Sequence, residues 1–159
     1  MEHKNKELFL FFCENENLDE INLMFHNKQI NLETAFKFSC LHGYFNVAKY
    51  LLKINKFNIN HDDDVVFRFA CKRGLIDTVN FLLNIPNNNI NVTSKNDYAF
   101  RWSCYNGHID IVIFLLQIPN NNINIYVNEN ICYHSAYGEG HFNVTKFLCC
   151  LYDEKGSKI

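Results

Sequence analysis

The sequence predicts an all-α solenoid of about five helix-turn-helix repeats with short loops or hairpins. Three observations lead to this prediction: glycines recur at a nearly constant interval, the residues around each glycine follow a helical apolar pattern, and one unusual segment occurs twice. That segment reads IPNNNINV at 85–92 and, 33 residues later, IPNNNINI at 118–125. A fixed period of this length is typical of solenoids, whose units bury their apolar faces against one another.

The interval is set by four glycines that lie 31, 33 and 33 residues apart: Gly43, Gly74, Gly107 and Gly140. Aligned on them, the copies read AFKFSCLHGYFNVAKYLL (35–52), VFRFACKRGLIDTVNFLL (66–83), AFRWSCYNGHIDIVIFLL (99–116) and CYHSAYGEGHFNVTKFLC (132–149). A degenerate first copy, LFLFFCENENLDEINLMF (8–25), carries Glu16 in place of the glycine. We expect a single domain over 1–159, with repeats at about 6–31, 33–60, 64–91, 97–124 and 130–152 and a polar tail over 153–159.

The residues before each glycine predict the first helix of a repeat. An aromatic residue and a cysteine recur four positions apart, as at Phe100 and Cys104. Residues at i and i+4 share one helical face, so we expect each ring to pack beside a thiol against the neighbouring repeat. The same two positions are held by Phe9, Phe36, Phe67 and Tyr133 and by Cys13, Cys40 and Cys71. The glycine then permits the positive φ that ends the helix.

The residues after each glycine predict the second helix. Asp77 and Asp110, or Asn46 and Asn143 in other copies, stand near its start, where their oxygens can satisfy free N–H groups. The remaining core positions follow with helical spacing, as at Ile109, Val112, Leu115 and Leu116.

The repeated asparagine segment predicts a structured turn after the second helix. Pro86 and Pro119 prevent the helix from continuing, and asparagine tolerates the turn conformations that reverse the chain. We expect Ile90 and Ile123 to return to the core, and Asn91 and Asn124 to bond the loop backbone.

This pattern resembles the ankyrin repeat over about residues 6–152. The family's unit reads roughly T-P-L-H-x-A-A-x-x-G-H-x-x-V-V-x-L-L-L-x-x-G-A-D-x-N. The fourth copy keeps Gly107-His108, Ile111-Val112, Leu115-Leu116 and the terminal Asn124. The chain departs from the family because T-P-L-H is never complete and a longer asparagine turn replaces G-A-D. Such asparagine-rich variants look like ankyrin proteins of protists and of large DNA viruses that infect amoebae.

Composition argues against several function classes. A net charge of −2 gives no broad basic field for nucleic acid, and no apolar run approaches the ~18–20 residues that span a bilayer. Seven cysteines without a secretory signal favour a reducing compartment, which means the cytoplasm or nucleus, or the host cytoplasm if the protein is viral. The initial Met and the polar ending DEKGSKI are consistent with a free-standing scaffold.

No pattern predicts catalysis, a cofactor or a metal. Cys13, Cys40, Cys71 and Cys104 are expected on successive layers about 8–10 Å apart, too far to share one ion. The chain has no HExxH, G-x-S-x-G or Walker motif. The resemblance implies that His108 and His141, after their glycines, are structural. We therefore expect a non-catalytic protein.

Two further patterns leave alternatives open. Asp62-Asp63-Asp64 is expected to be a solvated turn, or else one acidic edge of a binding groove. A series of aromatic residues shares one helical position and is expected either to pack half-buried or to face a ligand: Phe11, Phe38, Phe69 and Trp102.

The resemblance implies that a protein partner binds the concave surface formed by the first helices and loops, which the residue pair before each glycine faces. Lys72 and Arg73, with Arg68 and Arg101 nearby, would form a basic strip beside Tyr105. We expect this strip to bind a partner segment with acidic and apolar residues, although Arg68 and Arg101 could instead pair with loop carboxylates. The predicted contacts are Leu41, His42, Arg68, Lys72, Arg73, Arg101, Tyr105 and Asn106.

A second functional hypothesis is self-association. The segment 8–12, Leu-Phe-Leu-Phe-Phe, is apolar on every helical face. It could pair with a second chain, or with the end marked by Phe147, Leu148 and Leu151, giving a homodimer or a fibre.

Overall fold

The computed structural model describes residues 2–54 and 61–154, and every regular element within them is a helix. The all-α prediction is therefore confirmed. The chain forms two compact units, Met1–Ile59 and Asn60–Ile159. The end of the second predicted repeat (55–60) and residues 155–159 of the predicted tail lie outside the described residues.

The first unit contains two helix pairs: α1 (Glu2–Glu14) with α2 (Leu18–His26), and α3 (Leu32–His42) with α4 (Phe45–Ile54). Asparagines precede α2 and α3 and cap them. The side chain of Asn17 accepts a hydrogen bond from the backbone N–H of Glu20, and that of Asn31 accepts from Glu33 and Thr34.

The second unit contains three helix pairs: α5 (His61–Lys72) with α6 (Ile76–Leu83), α7 (Ser94–Tyr105) with α8 (Ile109–Gln117), and α9 (Val127–Gly138) with α10 (Phe142–Glu154). Helix α5 packs on α7, and α7 packs on α9. Each of these first helices also packs on its own second helix. Successive first helices therefore lie side by side, which places their exposed residues on one surface.

The predicted pairing of an aromatic ring with a thiol on the first helices is confirmed in four repeats. Both members are at most 1% exposed at Phe9 and Cys13, Phe36 and Cys40, Phe67 and Cys71, and Phe100 and Cys104. The fifth repeat differs, because Tyr133 is only half-buried while its neighbour Cys132 is buried. No further first helix follows α9 in the described part of the chain, so nothing described covers the outer side of this repeat.

The predicted positive-φ turns are also confirmed, and one of them explains a histidine. Gly74 has φ +75°, and a Cβ built on it would lie 2.7 Å from the ring of His108 in the next repeat. The His108 Nε2 lies 3.1 Å from the backbone carbonyl of Lys72, to which it donates. The glycine is thus required both by its backbone angle and by the ring against it, and His108 links two repeats. In the first repeat Glu16 adopts the same turn with φ +50°.

The asparagine segments are ordered turns, as predicted. Asn88 and Asn121 each donate to two backbone carbonyls at the end of the preceding helix. Their side-chain oxygens accept from the N–H groups of Ile90 and Ile123, which are half-buried.

The expected helix starts need one correction. The cap positions of α6 and α8 are held by Leu75 and His108, which make no side-chain cap hydrogen bond. Asp77 and Asp110 lie two positions after the cap, within the first turn of the helix. There their negative charge favours the positive end of the helix dipole.

Candidate functional site

The second unit carries a cluster of aromatic rings around one lysine. The Lys72 ammonium, at the end of α5, lies 3.8 Å from the ring centroid of Trp102 and 5.8 Å from that of Phe69. An ammonium above an aromatic face is attracted by the ring's negative quadrupole. We call the group Phe69, Lys72, Tyr98, Trp102 and Tyr105 the Trp102 cluster.

Helix spacing explains how the rings of the Trp102 cluster come together. Tyr98, Trp102 and Tyr105 are four and three residues apart on α7 and so share one face. Their centroids are 5.7 Å apart between Tyr98 and Trp102, and 5.1 Å apart between Trp102 and Tyr105. Phe69 on α5 lies 5.9 Å from Tyr98 and continues the row. The result is a continuous aromatic surface across two repeats.

Tyr105 is the most exposed ring of the Trp102 cluster, with 39% of its surface accessible. Its hydroxyl donates to the carboxylate of Glu139, which follows α9, and this bond raises the pKa of Tyr105. The adjacent Asn106, also expected at the site, is half-buried and donates to the Trp102 carbonyl.

The four expected cations differ in what they contact. Lys72 belongs to the Trp102 cluster, and Arg73 is exposed at the end of α5. Arg68 is only 8% exposed, and its guanidinium lies 4.9 Å from the Tyr98 centroid. Arg101 donates to the backbone carbonyls of Asn96 at 2.7 Å and Lys95 at 3.2 Å. Arg68 and Arg101 are therefore engaged within the fold, and the charge of Arg101 also favours the ionised form of the Asp97 carboxyl in the same loop, as the alternative expected.

Arg101 contacts a strained turn that precedes the regular part of α7. Lys95, Asn96 and Asp97 all have left-handed backbone angles, with φ of +56°, +56° and +55°. Such a conformation costs about 1–2 kcal/mol per residue, less for Asn and Asp. The two hydrogen bonds from Arg101 and one from the Asp97 N–H to the Thr93 carbonyl stabilise it.

Buried aspartates link neighbouring loops in the second unit. Asp64 accepts from the N–H of Asn91, and Asp97 accepts from that of Asn124. Burial raises the pKa of Asp97, against the opposing effects of its hydrogen bond and of Arg101. The expectation of a solvated acidic turn is thus wrong for Asp64, which is 5% exposed because the next loop covers it. The side chains at 62 and 63 lie outside the described residues.

Leu41 and His42, the other two expected contacts, belong to the first unit. Leu41 is half-buried, and the exposed His42 stacks on Phe38 with ring centroids 4.1 Å apart. Phe38, Phe69 and Trp102 are all half-buried, as one alternative held, whereas Phe11 is 57% exposed.

A pocket of about 220 Å³ adjoins the Trp102 cluster, lined by Arg101, Trp102, Tyr105, Ile131 and Ser135. Sequence reasoning missed Ile131 and Ser135 because it considered only the residue pairs next to the glycines. One signal was present: Ile131 is an apolar residue in the polar first turns of α9, and it remains 39% exposed.

The cysteines are placed for packing. All seven are free, and five of them are buried. Burial raises the pKa of the Cys13 thiol to about 12 and that of Cys40 and Cys71 further. These thiols are protonated at neutral pH and are poor nucleophiles and ligands. Among the described residues no cluster of three or more His, Cys, Asp or Glu side chains could hold a metal ion.

Comparison with known proteins agrees with the repeat pattern. A family model for ankyrin repeats, in three copies, matches residues 67–159. The match begins in the third predicted repeat and continues through the fifth. No curated protein and no solved structure matches the chain significantly. No helix in the described residues is long and apolar enough to cross a membrane.

Proposed function

The chain belongs to the ankyrin-repeat family, whose members generally serve as non-catalytic protein-interaction modules, and from this premise we propose that it is a scaffold that binds a protein partner through its first helices and loops. The partner segment carries acidic and apolar residues. It binds the second unit at the Trp102 cluster together with Arg73.

The observation that carries the proposal is the Lys72 ammonium, 3.8 Å from the Trp102 centroid beside the exposed Tyr105. Tyrosine, tryptophan and arginine are the residues that most often dominate binding energy at interfaces. The overall charge of the chain is −2, so a local pair of cations at Lys72 and Arg73 is an exception to its acidic balance. An acidic segment of a partner complements this pair.

The other expected contacts have different roles in this proposal. Arg68 and Arg101 support the surface and do not bind the partner. Arg68 contacts the Tyr98 ring, and Arg101 donates to carbonyls of the left-handed turn at 95–97. Asn106 orients the end of α7. Leu41 and His42 form a separate contact point on the first unit, where His42 is exposed and stacked on Phe38.

The test is the affinity of a partner captured from the native host. We expect Lys72→Ala with Arg73→Ala to weaken binding at least about tenfold, with Tyr105→Ala adding to the loss. Binding should also weaken moderately as salt concentration rises. The matched control removes two exposed lysines from the second helix α4, as Lys49→Ala with Lys53→Ala. Equal dissociation constants for the site variant, the control and the wild type would rule out the proposed surface.

We further propose that the protein has no enzymatic activity and works in a reducing compartment, the cytoplasm or nucleus. The buried, protonated thiols support both points, because five of seven cysteines are placed for packing. Asparagine-rich repeats support an origin in a protist or a large DNA virus.

Self-association is a second candidate, supported by exposed apolar side chains near both ends of the chain. Leu8 and Phe11 on α1 are 39% and 57% exposed. In the last repeat Ile131, Tyr137 and Phe142 are exposed. Of the expected residues, Leu148 is buried, and Phe147 and Leu151 are half-buried. Light scattering over a concentration series tests this candidate: a mass that stays monomeric at all concentrations eliminates it, and a rising mass that Phe11→Ser abolishes supports it.

A further inference from the structure

We infer that the pocket between Trp102 and Ile131 receives one aromatic side chain of the partner segment, and that a carboxylate next to this side chain pairs with Lys72. The inference rests on the proposed function and deepens it, because it names the anchor that the surface recognises. The pocket extends the interaction surface onto α9, which contributes Ile131 and Ser135.

The size of the pocket fits a single ring. An apolar protein cavity of about 150 Å³ holds one benzene molecule, whereas pockets for drug-sized ligands begin at about 300 Å³. The volume of about 220 Å³ lies between these limits. It matches a tyrosine or phenylalanine side chain and is smaller than the usual pocket for a drug-sized ligand.

The walls are suited to an aromatic occupant. Trp102 and Tyr105 present two rings tilted by 59°, and Ile131 adds an exposed aliphatic wall. Rings arranged in this way favour offset or edge-to-face contact with a third ring. The Ser135 hydroxyl donates to the Cys132 carbonyl and keeps acceptor lone pairs. An occupant with an O–H donor, such as tyrosine, can use those lone pairs.

The charged residues near the pocket indicate which group should flank the aromatic side chain of the partner. Lys72 does not line the pocket, but its ammonium lies 3.8 Å from the ring centroid of Trp102, which forms one pocket wall. The Glu139 carboxylate already accepts from Tyr105, whose ring forms a pocket wall. The Arg101 guanidinium is already engaged by two backbone carbonyls and by the charge of the Asp97 carboxylate. A carboxylate on the partner is therefore directed to Lys72.

Three short peptides test the inference through Trp102, the single tryptophan of the chain. They are Ac-Gly-Tyr-Asp-Asp-Gly-NH2, the same peptide with Ala for Tyr, and the same peptide with Lys for both Asp. Each is titrated into the full chain while the tryptophan emission is recorded. We expect the first to bind and the other two to bind at least about tenfold more weakly. No binding of the first peptide, or equal affinity of the tyrosine and alanine peptides, would overturn the inference.

Two variants localise the effect. Ser135→Leu fills the pocket from α9 and should weaken the first peptide at least about tenfold. Gln117→Leu makes the same kind of change at an exposed position on α8 and should leave its affinity unchanged. Circular dichroism confirms that both variants are folded; if Ser135→Leu is not, Ile131→Ala replaces it as the pocket variant.

A titration with a small phenol distinguishes a pocket that binds a peptide side chain from a site for a free metabolite. If p-cresol binds as tightly as the first peptide, the aspartates contribute nothing and the pocket is not a peptide site. The captured partner then distinguishes the two proposals. A partner that depends on Lys72 and Arg73 but not on Ser135→Leu preserves the proposed function and refutes this anchor. A partner that depends on none of them refutes the proposed function itself.

Discussion

Replacing each of three glycines in the second unit by alanine distinguishes the cost of a left-handed backbone angle from the cost of a steric clash. Gly74 has φ +75° and faces the His108 ring, which an added Cβ would meet at 2.7 Å. Gly140 has φ +80°, but no described atom lies within 4 Å of an added Cβ. Gly138 has neither feature, since its φ is not positive and the space around it is open. The three sites therefore differ stepwise in backbone angle and in packing.

The expected magnitudes follow from these differences. Gly138→Ala should stabilise the fold by up to about 0.5–1 kcal/mol, because alanine loses less backbone entropy in a helix. Gly140→Ala should cost about 1–2 kcal/mol for the left-handed angle. Gly74→Ala should cost that amount and also displace His108, whose hydrogen bond to the Lys72 carbonyl is worth about 0.5–1.5 kcal/mol. The total at Gly74 is then about 1.5–3.5 kcal/mol.

Urea unfolding of the full chain measures these values, with tryptophan emission reporting on the second unit through Trp102. Adding His108→Ala to Gly74→Ala should recover part of the loss, since the ring that the Cβ displaces is gone. Equal destabilisation by Gly74→Ala and Gly140→Ala would refute the packing role of His108. Destabilisation by Gly138→Ala would refute the assigned helix geometry.

Three further predictions concern Arg101 at the left-handed turn, the buried Asp97 and the thiols. Arg101→Ala should destabilise the second unit by about 1–3 kcal/mol in urea unfolding, because the carbonyls of the left-handed turn at 95–97 lose their donor. Arg101→Lys should restore only part of this stability. Full restoration by lysine would contradict the geometry in which one guanidinium makes two hydrogen bonds. The folded-state pKa of Asp97 is raised above the ordinary 3.8, so its contribution to stability is greatest below that pH and falls as pH rises through the folded value. Asp97→Asn keeps an acceptor for Asn124 and matches Asn130 in the next repeat. It should remove this dependence of the unfolding free energy on pH, measured between mildly acidic and neutral pH. An unchanged pH dependence would contradict the assignment. A thiol reagent at neutral pH should modify the exposed Cys150 first, and it should reach the five buried cysteines only on unfolding; fast native labelling of Cys71 or Cys104 would contradict their burial.

Much of the fold was predictable because it depends on local periodicity. The aromatic and thiol positions of Phe36 and Cys40 follow from i, i+4 spacing, and the positive φ of Gly107 follows from its place at the end of a first helix. Both are properties of one repeat and its immediate neighbour, so a single sequence is sufficient to infer them.

The parts that sequence reasoning missed depend on tertiary packing. Asp64 was expected in water, but the loop around Asn91, 27 positions later, covers it and donates to it. The role of Arg101 depends on the unusual angles at 95–97, which no spacing rule predicts for a lysine. The pocket wall at Ile131 and Ser135 exists only because α9 packs on α7. In each case the feature depends on a contact or a backbone conformation that the residue types alone do not indicate.

The most direct measurement of the central claim is hydrogen exchange of the full chain with and without its captured partner. Because the partner is proposed to cover the first helices of the second unit, amide protection should increase at the ends of α5 and α7, around Lys72 and Tyr105, and at the start of α9 near Ile131. The second helices α6 and α8 should be unchanged. Protection confined to α6 and α8, with none gained at Lys72 or Tyr105, would contradict the account.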